Sequence, residues 1–435
     1  MTTERDRAVD ALRAIAILGV VLGHWLVTAV VVDGDTVRVA SPLRAVPWLS
    51  PASWLFQTLA LFFFVGGLLA IRSHPLAIHS RLVADRRPHG GTRTHLVQRR
   101  DCAGRTGAGA GDAGAAAGGA AGYRRWLAGR LERLFRPVLV LVAVWSALVI
   151  AAALWQYVSP ASPGVENGAV DRFFAAIRSY PVLKLVASPL WFLLVFAALT
   201  MARPLAGRLH PLWPLAVVAF VDLGRFGLDA PAWIGWVNLA AGWLVPFCLG
   251  AAWSRGQLRS QVSGWVLLVG GVGATVVLTR WFGYPVSMVG VPGQGISNLN
   301  PPTLAAVTFG IAQCGAALLL MPVLRRVMRQ RRLWRAVTVV NLSAMTIFLW
   351  HQTSLLAVTL LTPGPLAGLH TAPQGSSWVL VRLLWLPVFA AVLVGCWLTF
   401  HRFEHRRGDS VSSRGVMQAP AAADDDRALA APGTR

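Results

Sequence analysis

Charge is scarce in this chain: 13% of its 435 residues are Asp, Glu, Lys or Arg, whereas 55% are hydrophobic. With a mean hydropathy of +0.56, that balance excludes an ordinary soluble protein of this length and makes lipid the solvent. Cysteine is scarce as well. Cys102, Cys248, Cys314 and Cys396 form no CxxC pair, which excludes a Cys-based metal or redox site and leaves those inside apolar runs as packing residues. No internal repeat is evident, against a repeat-built transporter. No small-residue cleavage site follows the first apolar run, so it reads as a retained helix. Acidic residues are few, 18 against 40 basic ones for a formal net charge of +22. The cations lie between apolar runs, not in one stripe, so they exclude a nucleic-acid partner and report membrane topology.

What is abundant is long apolar segments. Ten reach the length needed to cross ~30 Å of hydrocarbon: Val9–Val32, Pro51–Arg72, Pro137–Tyr157, Val182–Met201, Pro211–Arg225, Trp233–Trp253, Val262–Trp281, Thr303–Leu324, Ala336–Leu361 and Ser377–Phe400. The fifth is short and carries Asp222. Leaving Arg13 aside, alternating the connecting segments places 31 cationic residues on one side and 8 on the other, which by the positive-inside rule puts both termini in the cytoplasm. The expected fold is therefore all-α and polytopic, with about ten transmembrane helices in the plasma membrane. Residues 1–73 hold the first two spans, 74–122 a basic low-complexity cytoplasmic loop, 123–409 the other eight spans, and 410–435 a disordered tail. His74, His79, His89 and His95 in that loop lack regular ligand spacing, and no metal is expected.

The polar residues of the first segment are spaced informatively. Arg13 and His24 are eleven residues apart, about 20° from eclipsed on a helix and about 16 Å apart along its axis. Asp10 lies one turn below Arg13, so one stripe runs from a rim charge pair to an imidazole deep in the membrane. An ionisable group at that depth is costly and points to function; an interhelical hydrogen-bonding histidine is the structural alternative. As a general base, His24 suits proton transfer near neutral pH. Gly19 and Gly23 beside it allow close approach of a helix or ligand. Arg130 and Arg133, at i,i+3 before the third span, offer forked donors to phosphate, or serve as an ordinary cytoplasmic collar. His351 lies at the same depth as His24, about 25 Å from the cytoplasmic boundary, and Trp191 enters from the other side to a similar level. The loop Val286–Pro302 is amide-rich, and Asn300-Pro-Pro-Thr reads as a helix start capped by Asn300.

Together, Asp10-Ala-Leu-Arg13 with His24, Arg130-Leu-Glu-Arg133, Pro189-Leu-Trp191-Phe and Phe348-Leu-Trp-His351-Gln resemble the acyltransferase-3 family of integral membrane acyltransferases. The resemblance implies transfer of an acetyl or related acyl group from acyl-CoA, used as donor substrate with no bound cofactor. The acceptor it implies is a hydroxyl of a carbohydrate, cell-wall component, lipid or secondary metabolite. It casts His24 as catalytic, with Asp10, Arg13, Arg130, Arg133, Trp191 and His351 on the substrates. The segment 74–122 departs from the family, which commonly has a short loop there. A transporter using intramembrane His and Arg, or an inactive homologue, are the rival readings.

Overall fold

The computed structural model describes residues 6–33, 36–72, 108–159, 169–291, 295–364 and 366–404. Its main helices are α1 (Arg7–Val27), α2 (Leu59–Arg72), α3 (Ala108–Val158), α4 (Ala169–Arg178), α5 (Tyr180–Ala187), α6 (Leu190–Met201) and α7 (Leu212–Gly227). After these come α8 (Val237–Ser254), α9 (Gln261–Trp281), α10 (Leu304–Val327), α11 (Arg331–Leu342), α12 (Ala344–Leu361) and α13 (Ser376–Phe400). Among the described residues nine helical segments are long and apolar enough to cross a membrane. The tenth expected span is α7, whose 16 residues reach only about 24 Å at 1.5 Å per residue.

Burial separates the helices into two groups. The membrane-length window of α12 is 72% buried and that of α1 56%, whereas those of α3, α9 and α13 are 17% buried. The first group forms the interior of the bundle and the second turns its apolar surface to lipid. Helix α1 sits at the centre, packed on α2, α10, α11, α12 and α13. Small residues bring some backbones together: a Cβ on Gly67 would stand 2.0 Å from the Phe247 carbonyl oxygen, and one on Gly250 1.9 Å from that of Phe64. In the absence of a hydrophobic driving force in lipid, such close backbone approach is what holds α2 against α8.

Several boundaries differ from the sequence expectations. The first apolar run is not one helix to Val32: α1 stops at Val27, and Ala29–Asp33 pairs antiparallel with Thr36–Ala40. The run Val30-Val-Val favours this pairing because β-branched side chains lose less freedom in a strand. Helix α3 begins at Ala108, inside the segment 74–122 read as a loop; its alanines are strong helix formers. The four histidines of that segment, Cys102 and the tail 410–435 lie outside the described residues. Pro137 sits within α3 without ending it. The cap of α10 is Thr303, whose hydroxyl accepts from the Ala306 N–H and donates to Asn298. Asn300 is not the cap, since the two prolines after it delay the helix and Asn298 holds the Thr303 side chain in place.

Candidate active site

Two polar regions lie along α1. The first is a cavity of about 950 Å³ at the end where α1 and α9 begin and where α2, α8 and α10 finish. Arg13, Arg72, Arg130, Arg259 and Arg325 line it, with Asp6 and Asp10 as counter-charges. Asp6 caps α1 by accepting from the Ala8 N–H and accepts from Arg325 at 3.0 Å. Asp10 is buried, and its carbonyl accepts from Asn341 of α11 at 2.7 Å. Five guanidinium groups facing two carboxylates make the cavity cationic, a fit for phosphate oxygens.

Arg130 is held against the ring of Trp126, 5.5 Å from its centroid, and Arg203 covers the same ring at 4.3 Å. Such contacts orient a guanidinium without neutralising it. Arg203, only 2% exposed, donates to the Ala70 carbonyl. Burial holds its pKa below the ordinary arginine value, partly offset by Tyr123. Sequence alone does not single out Arg72, Arg259 and Arg325, because each looks like part of a basic collar until the helix ends are brought together. Arg133, expected beside Arg130 on a ligand, is not in the cavity lining. It is exposed, and its Nε donates to the Gly129 carbonyl. Three residues along, a helix has turned about 60° short of a full circle, enough to carry Arg133 out of the cavity.

The second region lies beyond the cavity lining, farther along α1. His24 and His351 meet edge to face with ring centroids 5.1 Å apart, joining the two histidines that residue counting put at one depth. His24 is partly buried, and its Nδ1 lies 2.8 Å from Nε2 of Gln352. His351 and Gln352 are fully buried. Nδ1 of His351 lies 2.5 Å from the Phe348 carbonyl oxygen. Among the described residues, Nε2 of His351 and Oε1 of Gln352 are buried with no hydrogen-bond partner. Such unspent polar atoms are rare in a protein interior and call for an explanation. The Trp25 indole N–H donates to the His351 carbonyl at 2.9 Å, tying α1 to α12 at this level.

Trp191 is two rings removed from His351: it packs on Phe192, which packs on Phe348, which packs on His351. It belongs to an aromatic wall beside the histidines. Gly19 and Gly23 do not face a ligand. A Cβ on Gly19 would meet Thr58, and one on Gly23 would meet Phe56, while the Thr58 hydroxyl donates to the Ala16 carbonyl at 2.7 Å. The loop before α2 fills that notch. Asn298 likewise spends its amide internally, donating to the carbonyls of Pro285 and Ser287.

The described residues form a polytopic helical bundle with a cationic cavity at one end and an imidazole pair in its interior. The chain belongs to the acyltransferase-3 family: the family model of the acyltransferase domain matches residues 6–401, and the protein is thus a multi-pass membrane acyltransferase. No curated protein and no solved structure matches it. The family match spans both the arginine cavity and the histidine pair.

Proposed function

We propose that the protein transfers an acetyl or related acyl group from cytoplasmic acyl-CoA to a hydroxyl of a carbohydrate, cell-wall component, lipid or secondary metabolite at the plasma membrane. The observation that carries this reading is the cavity lined by Arg13 and Arg130 at the foot of α1, with His24 on the same helical face about 16 Å along the axis. Coenzyme A is a polyanionic nucleotide joined to its thioester by a long, largely neutral arm. A cationic head site set one arm's length from an imidazole suits that shape. Arg72, Arg259 and Arg325 add to the field that draws the phosphates in. Asp10 holds the foot of α1 to α11 through its carbonyl, and the aromatic wall containing Trp191 excludes water from the acyl group. His24 belongs to the reaction centre, and both termini lie in the cytoplasm with the cavity.

The test is transfer from radiolabelled acetyl-CoA by protein in membranes that supply the acceptor. The wild type labels membrane material, His24→Ala abolishes labelling, and Arg130→Ala raises the acetyl-CoA concentration needed for half-maximal transfer. Wild-type transfer rates in both variants would overturn the reading.

A further inference from the structure

We infer that His351 is the proton acceptor of the reaction and that His24 instead presents an N–H to the carbonyl under attack. This division of labour rests on the acyl-CoA reading above and goes beyond it. The argument begins with the Phe348 carbonyl, which can only accept. Because His351 Nδ1 is 2.5 Å from that oxygen, Nδ1 carries the hydrogen, and the neutral ring therefore keeps its lone pair on Nε2. That atom is fully buried and has no partner among the described residues. A lone pair fixed in tautomer and left unspent is what a general base requires before substrate arrives.

His24 has the opposite arrangement. Its Nδ1 faces the NH₂ end of the Gln352 side chain at 2.8 Å, so Nδ1 accepts and the hydrogen resides on Nε2. With ring centroids 5.1 Å apart, a donor and an acceptor are carried side by side by two helices. That pairing suits the attack of a hydroxyl on a carbonyl carbon. In the attack, the acceptor oxygen forms its bond to the thioester carbon while its proton passes to His351 Nε2. The carbonyl π pair moves onto oxygen, which the His24 Nε2–H stabilises. On collapse the C–S bond breaks, and the departing coenzyme A sulfur takes the proton back from His351 Nε2. The His351 Nδ1–H stays on the Phe348 carbonyl throughout.

Two measurements test this. In the labelled acetyl-CoA assay, His351→Gln loses transfer by about a hundredfold or more at an unchanged KM for acetyl-CoA. His24→Gln, which keeps an N–H in place, retains more activity than His24→Ala. Retained transfer in His351→Gln, with loss in His24→Gln equal to that in His24→Ala, overturns the inference alone. No transfer by the wild type overturns the donor reading and the inference with it. The second measurement does not need turnover: nitrogen-15 spectra of histidine-labelled protein in lipid report each ring's tautomer. The signal lost in His351→Gln is expected to be the Nδ1–H form, and that lost in His24→Gln the Nε2–H form. The reverse assignment overturns the inference, whatever the acyl donor.

Discussion

Arg382 of α13 and His351 of α12 are both fully buried, and both are tied to Trp25 of α1: Arg382 Nε donates to the Trp25 carbonyl, and the Trp25 indole donates to the His351 carbonyl. Arg382 commits all three of its nitrogens, to the carbonyls of Trp25, Gly368 and Thr28 at 2.7 to 3.0 Å. Among the described residues, His351 leaves one ring nitrogen with no partner, and neighbouring Gln352 leaves its oxygen so. A buried polar group with every nitrogen partnered fixes structure, whereas one held with an atom unspent stores capacity for a ligand. Composition and depth alone do not distinguish the two.

The contrast can be broken by substitution. Arg382→Met orphans three buried carbonyls, and a loss on the order of 3 kcal/mol or more of stability is expected, read as a lower unfolding temperature in detergent. A variant that unfolds like the wild type would dissolve the distinction. Gln352→Met, similar in volume, is expected to slow acyl transfer roughly tenfold, the size of one hydrogen bond, and to leave the unfolding temperature close to wild type. Arg325→Gln addresses the cavity. Its expected effect is a several-fold rise in KM for acetyl-CoA that shrinks as salt is added, because the cavity is open to solvent and its field is screened. Smallest of all, Asp6→Ala removes a cap and a partly exposed ion pair, and about 1 kcal/mol or less of stability should go with it.

Much of the bundle was legible in the sequence because hydropathy reports which segments lipid accepts. The meeting of His24 with His351 was legible for a related reason: depth in a bilayer is counted in residues, and both were counted from arginine boundaries. What counting cannot supply is azimuth. Arg133 looked equivalent to Arg130 until the turn of α3 carried it out of the cavity, and Trp191 reached the expected level but two rings away. Gln352 sat in the motif that led to His351, yet no periodicity marks an amide as the partner of a histidine over three hundred residues away. In the sequence Arg382 is one of the eight cations on the minority side of the topology count, since only the fold shows three carbonyls converging on it. The end of α1 at Val27 was hidden because a strand of valines is as hydrophobic as a helix.

The seating of Thr58 and Phe56 against Gly19 and Gly23 has a mechanical meaning. It clamps α1 between its charged foot and its imidazole, so the helix can neither rotate nor slide past α2 without dislodging that loop. Helix α1 thereby acts as a ruler, with Arg13 at one mark and His24 at another. One residue inserted between the marks would swing the imidazole by about 100° and move it about 1.5 Å, while leaving every side chain chemically intact.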